Sequence, residues 1–234
     1  MLMCRTARRT PRRCTSRSRG TSIIELMIGV TIGLVIVAGA AGLFATHLTQ
    51  TKRQMMSARL NQELRAAADV VVRDLRRASY WKDAIQGTLA IGTGSATAQN
   101  PYRQVVAGTG SIEYGFSRDG TENNVLDSNE IFGFRMTNAG VLEMETTSGS
   151  WTPMTDINLV RVTAFTVTPV VTTLHLGDIC PKTCAIGSPN CPSTSVRRFD
   201  VLLRGQAASD ALIVRELRMS VRMRNDRLDG QCPA

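Results

Sequence analysis

From Leu26 to Thr46 the chain runs for 21 residues without a charged side chain, and the residue just before the run is an acid, Glu25. At about 1.5 Å per residue a helix of that length spans roughly 31 Å, enough to cross the hydrocarbon core of a bilayer. In lipid such a segment must be helical, because only a helix satisfies its own backbone there. The acid sharpens the constraint, since an ionised carboxylate carried to the bilayer centre costs about 2.5–3.5 kcal/mol or more. A chain that keeps Glu25 at the head of this helix needs a partner for it. Gly29 and Gly33 form a G-x-x-x-G step within the run. Such small positions let membrane helices approach closely, although glycine is also simply frequent in membrane helices.

The formal net charge of +9 would suit a nucleic-acid partner, but its distribution does not. Seven arginines (Arg5, Arg8, Arg9, Arg12, Arg13, Arg17 and Arg19) fall in residues 1–20, with no acid among them. Without these seven, 21 basic side chains face 19 acidic ones, a balance of +2 over residues 21–234. An arginine cluster beside an apolar span holds that flank in the cytoplasm. The expected topology is therefore a single pass with the N-terminus cytoplasmic and the head outside the cytoplasm. A secretory signal is cut at small residues after its apolar core. Here the small residue, Gly20, precedes the core, so a cut there leaves the helix attached; an uncut signal anchor satisfies the same topology.

Neither glycine nor proline occurs between Gly42 and Gly87. Met56, Leu60, Leu64, Ala67, Val71, Leu75 and Ala78 recur at spacings of three and four, one apolar stripe on a helix. Arg59, Glu63, Arg65, Asp69, Arg73 and Arg76 lie largely off it, with Asp69 and Arg73 in the favourable i,i+4 order. One helix is expected from about Ser22 to about Ser79, apolar all round in its first half and amphipathic in its second. A coiled-coil dimer would use such a stripe too, but few charges flank it in register. Short β-prone runs follow at residues 111–116, 131–136, 141–146, 159–171, 197–204 and 216–224. In the last, Leu217, Met219, Val221 and Met223 point one way and Arg218, Ser220, Arg222 and Arg224 the other. The apolar side should meet the helix stripe and the arginine side water, so no direct nucleic-acid binding is expected.

Gly20, a short hydroxyl-bearing and apolar stretch, then Glu25 before a long apolar helix resembles the type IV prepilin processing signal. The resemblance implies cleavage by prepilin peptidase between Gly20 and Thr21 and N-methylation of Thr21, which stands where the family usually has phenylalanine. It implies that Glu25, fifth in the mature chain, neutralises the amino terminus of a neighbouring subunit during assembly. A buried carboxylate is tolerated when it meets a cation, and breaking such a pair costs several kcal/mol. Residues 117–167 and 217–225 are similar to the PilW group of minor pilins. The J pseudopilin of type II secretion shares the design. The implied fold is α+β and pilin-like: a cleaved leader (1–20), a long helix (21–80) with its transmembrane part at about 23–46, and a β-rich extracytoplasmic head (81–234). The implied partners are other minor and major pilins, prepilin peptidase and the inner-membrane assembly platform. The implied role is a structural subunit that initiates or caps the pilus, supporting twitching motility, adhesion or DNA uptake.

Cys4 and Cys14 lie in the leader. Cys180, Cys184, Cys191 and Cys232 remain, an even number in a segment placed outside the cytoplasm, which points to two disulfides. Cys232 is expected to tie the tail to the 180–191 loop. A zinc knuckle is the alternative, but the C-x3-C then x6-C spacing matches no strong zinc pattern. In residues 119–130 oxygen donors fall at the EF-hand spacing: Asp119, Thr121, Asn123, Asp127 and Glu130, with the Val125 carbonyl at the seventh position. Asn124 replaces the usual glycine and the flanks read as strands, so a polar hairpin loop stands beside Ca2+ as a reading. No hydrolase, metalloprotease, P-loop or dinucleotide motif occurs. The two "GTGS" copies, at 92–95 and 108–111, lead into no helix pattern. The expected role is binding rather than catalysis, with a membrane-anchored periplasmic binding protein or enzyme as the rival class.

Overall fold

The computed structural model describes residues 20–88, 98–118 and 120–233. The arginine-rich leader, the first "GTGS" copy and Asp119 lie outside the described residues. The chain divides into two compact units, Met1–Thr51 and Lys52–Ala234. Helix α1, Ile23–Arg77, is 55 residues long and contributes to both.

Within the first unit the helix is bare. Its large apolar side chains, from Ile23 through Phe44, are all more than half exposed, and none of its most apolar window is buried. It is long and apolar enough to cross a membrane and suits membrane anchoring. Its hydroxyls return to the helix itself: Thr31 Oγ1 donates to the Ile28 carbonyl at 2.9 Å, Thr46 to Leu43 at 2.8 Å and Thr49 to Ala45 at 3.0 Å. That leaves no polar group on the apolar stretch to pull water in.

In the second unit the helix lies on the head. Leu60, Leu64, Ala67, Val71, Leu75 and Ala78 are buried, while Arg59, Arg65, Asp69, Arg73 and Arg76 are exposed, the division the stripe predicts. The helix ends at Ser79, a non-glycine residue at φ +61°. Such a left-handed residue is a common way to stop a helix, though usually it is glycine. The head supplies the missing hydrogen bonds of the last turn. Arg224 N–H donates to the Arg76 carbonyl at 3.1 Å, Asn225 Nδ2 to Ala78 at 3.2 Å and Asn100 Nδ2 to Ser79 at 2.9 Å. Among the described residues the ion pair formed within the helix is Arg77 with buried Asp74 at 3.1 Å, rather than Asp69 with Arg73.

The head consists of two antiparallel sheets. The first is a meander of β1 (Val105–Ala107), β2 (Ser111–Gly115), β3 (Ile131–Met136), β4 (Leu142–Thr147) and β5 (Ser150–Pro153). The second has β6 (Val160–His175), β7 (Ser193–Ala207) and β8 (Asp210–Arg222) in that order, with β9 (Arg227–Asp229) pairing the start of β7. The six expected strands are all present. Three short ones, β1, β5 and β9, were not read from the sequence, and β6, β7 and β8 are longer than their apolar runs. They extend because polar Thr, Ser, Arg and Gln residues pair as well as apolar ones once the register is set by β7.

One core joins helix and sheets, combining Leu64, Val71 and Leu75 with Ile112, Tyr114 and Phe134 of the first sheet and Val162, Phe165, Val201 and Leu203 of the second. Among the glycines that allow close approach, two bring these layers together. Gly140, at φ +83°, turns the chain between β3 and β4 and accepts the Val162 N–H at 2.7 Å, knitting the sheets together. Gly205 on β7 lies under Leu64: a Cβ there would stand 3.1 Å from Leu64 Cδ2 and 3.2 Å from Val160 Cγ1.

Candidate functional site

The residues expected to form a processing signal sit at the start of the described chain. Gly20 and Thr21 precede the helix and are exposed, and the helix begins with Leu26 N–H on the Ser22 carbonyl at 3.1 Å. Glu25 lies in the first helical turn, where unpaired backbone N–H groups favour a negative charge. It is exposed, and among the described residues it makes no ion pair. Gly29 and Gly33 have no heavy atom within 4 Å of where a Cβ would stand, so each leaves a notch open to another helix. Among the described residues, therefore, nothing satisfies the acid, fills the notches or covers the apolar surface around them.

The residue 117–130 loop closes on itself. Asp127 and Glu130 form a reciprocal capping box. Glu130 is fully buried; its carboxylate accepts from the Arg118 N–H at 2.9 Å, the Asp127 N–H at 3.2 Å and the Tyr102 hydroxyl at 2.8 Å. The Tyr102 oxygen is also 2.9 Å from Glu122 Oε1, so one phenolic proton serves two carboxylates. Burial, then the hydrogen bonds to Glu130 and Glu122, push the Tyr102 hydroxyl well above its ordinary pKa. Glu122 moves the other way. Burial opposes its ionisation, but hydrogen bonds from the Ser117 hydroxyl, the Asn124 N–H, Tyr102 and the Lys82 backbone outweigh it and hold the carboxyl below its ordinary value.

Among the six residues proposed for calcium, Asp119 lies outside the described residues, and the rest are placed as follows. Asn123 Oδ1 accepts the Val125 N–H at 2.8 Å, and its Nδ2 donates to Asp127 Oδ2 at 2.7 Å. Thr121 and Val125 are exposed, and Glu130 is turned inward. Among the described residues no three His, Cys, Asp or Glu side chains stand close enough to hold a metal. The donor set as arranged fits a self-capped hairpin loop better than a bidentate calcium ligand at Glu130. Asn124 does take the left-handed conformation that its position in the pattern requires, at φ +60°, but its side chain accepts Trp81 Nε1–H at 2.7 Å.

In the head, Cys180 is bonded to Cys232 and Cys184 to Cys191. The first bond fastens the chain's last residues to the loop after β6. Gly177 packs beside the second, with its Cβ position 3.2 Å from both Cys184 and Cys191 Sγ.

Sequence reasoning missed Arg197. It is 93% buried on β7, where its guanidinium donates to the Arg103 carbonyl at 2.6 Å, Ser79 Oγ at 3.0 Å and the Asn225 carbonyl at 3.3 Å. Burial and then the nearby Arg227 lower its pKa, while Asp226 and Asp229 oppose that. Its location behind the helix C-terminus sets a cation at the negative end of the helix dipole. The signal was available: Arg197 shares the inward phase of β7 with Phe199, Val201 and Leu203.

A bare apolar helix with an acid in its first turn, continuing into an α+β head of antiparallel sheets, defines a pilin-like protein. The family model described as prepilin peptidase-dependent protein B matches residues 53–223, and the chain belongs to that family. No curated protein and no solved structure matches it. Membership makes prepilin peptidase and pilus-related proteins its partners.

Proposed function

We propose that this chain is a minor pilin of the PilW type, a non-enzymatic subunit that initiates or caps a type IV pilus. It waits in the inner membrane with its head in the periplasm, is cut between Gly20 and Thr21, is methylated on Thr21, and then enters the filament through its helix. The observation that carries this reading is the unpartnered Glu25 in the first turn of a bare apolar helix. In a filament the new amino terminus of an adjacent subunit supplies the cation, and the notches at Gly29 and Gly33 admit the neighbouring helix. Inside the apolar bundle that pair is desolvated, so removing one member costs about 3–5 kcal/mol.

Glu25→Ala is expected to remain membrane-inserted and folded yet to vanish from sheared pili. Incorporation at the wild-type level removes the mechanism. N-terminal sequencing of the mature protein should begin at Thr21, and an intact leader returns the chain to the class of uncut anchors. Deletion distinguishes the two machines: loss of pili fits the proposal, whereas loss of secretion with normal pili assigns the subunit to the type II pseudopilus.

A further inference from the structure

Strand β6 is an edge of the second sheet, and only its first half is covered. There the outward backbone groups are taken up: Val162 N–H by the Gly140 carbonyl at 2.7 Å, the Phe165 carbonyl by Gly110 N–H at 2.8 Å, and Val167 N–H by the Gly108 carbonyl at 3.2 Å. The Phe165 and Val167 bonds fix the phase of the strand. From residue 164 onward the register with β7 is unbroken, so odd-numbered residues turn their N–H and C=O outward and even-numbered ones toward β7. Pro169 obeys this phase, its missing N–H falling on the open side where it costs no ladder bond. Beyond it, the outward groups of Val171, Thr173 and His175 meet no backbone partner among the described residues.

Apart from Pro169 near its start, this open stretch carries none of the charge that usually protects a sheet edge. Residues 168–176 read TPVVTTLHL, without an acid, a lysine or an arginine. Val171 is 53% and Leu174 52% exposed. The opposite edge strand, β8, carries exposed Arg215, Glu216, Arg218 and Arg222, the kind of charge that keeps a sheet edge from pairing.

We propose that the distal half of β6 pairs antiparallel with the same stretch of a second copy of this chain, about a two-fold axis through Thr173. In that register Thr173 faces Thr173, and Val171 faces His175 of the other copy as hydrogen-bonded pairs, with Thr172 beside Leu174 between them. A two-fold axis brings every charge near its own image, so self-pairing requires an edge without like charges, and β6 meets that requirement where β8 would set arginine against arginine. Facing threonines and β-branched neighbours are favourable cross-strand pairs. This surface is independent of the filament reading, which rests on the helix.

The full-length protein in its membrane tests it. Thr173→Cys should give a disulfide-linked dimer under mild oxidation, with mass spectrometry joining residue 173 to residue 173, whereas Thr168→Cys should not. Adding Val171→Pro, which removes an outward N–H from each copy and spares the β7 ladder, should lower the dimer association constant about thirtyfold, as loss of the two symmetry-related hydrogen bonds would. In tagged pairs, Thr173→Lys alone and Thr173→Glu alone should fail to co-purify, and the two co-expressed should recover association. A folded Thr173→Cys protein without dimer, an equal yield at residue 168, or a crosslink to a different protein overturns the proposal.

Discussion

The seat of the helix on β7 can be tested at one contact. Leu64 is fully buried, and its Cδ2 lies 3.1 Å from the Cβ that Gly205 lacks. Truncating Leu64 to alanine removes a core leucine and leaves a hole, a change worth about 3–4 kcal/mol. For a head of this size each kcal/mol moves the melting temperature by about 2–4 °C, so Leu64→Ala should lower it by roughly 6–15 °C. Gly205→Ala should cost about 1–3 kcal/mol for the opposite reason, because the new methyl has nowhere to go between Leu64 and Val160. Together the two changes relieve each other, since the methyl at 205 enters space that Leu64 has vacated. The double variant should therefore fall short of the summed losses by about 1 kcal/mol or more, a coupling expected only of residues in contact. Thermal and urea unfolding of the full-length protein in detergent, read by the fluorescence of buried Trp81, gives all four values. Additivity within about 0.5 kcal/mol would refute the contact and with it the docking of the helix stripe onto β7.

Three further outcomes are expected. Replacing Cys180 and Cys232 by serine should cost about 4 kcal/mol and replacing Cys184 and Cys191 about 2.5 kcal/mol, because the first bond spans 52 residues and the second 7, and loop entropy grows with length; equal losses in unfolding experiments would contradict this. Glu122 has a folded-state pKa below its ordinary 4.5, so the stability it confers is present above that value and is lost as pH falls through the lower folded one. Melting of the native protein should therefore decline on acidification below 4.5 more steeply than that of Glu122→Gln, and parallel curves would remove the role of that carboxylate. The self-capped 117–130 loop predicts the same melting temperature with EDTA as with calcium, whereas a chelator-sensitive transition abolished by Asp119→Ala would make the loop a calcium site.

The helix and its two characters were legible because they rest on long periodic patterns. Twenty-one uncharged residues and a stripe repeated from Met56 to Ala78 leave little room for another reading. Strands β2, β3 and β4 were legible from compact apolar runs. Strands β1 and β9 have three residues each and take their place from β2 and β7 rather than from any pattern of their own. The order of glycine, acid and apolar helix at residues 20–46 was legible as a local arrangement, and the structure places the acid in the first turn of that helix. At residues 119–130 the sequence left a polar hairpin loop and a calcium loop side by side, because spacing counts oxygens without saying which donors reach them first. Backbone N–H groups of Arg118 and Asp127 and the hydroxyl of Tyr102 reach Glu130, and Tyr102 is far away in the chain. Arg197 was hidden for a related reason: its partners are carbonyls and a hydroxyl brought in from three separate segments.

The hydrogen bonds that finish the helix come from the far end of the polypeptide, and that orders the molecule's birth. Arg224 and Asn225, which cap the carbonyls of Arg76 and Ala78, are synthesised long after the helix they finish, Asn225 a full 147 residues after Ala78. Until they arrive, the stripe from Leu60 to Ala78 has no β7 or β8 to cover it, and a nascent chain stalled before residue 197 shows oily surface to the surrounding compartment. Contacts of such long sequence reach form slowly and leave intermediates prone to sticking. The clasp between Cys180 and Cys232 belongs to the same late stage. Closure of the head over its helix is thus the final event in its making, although the helix is the first part of it to form.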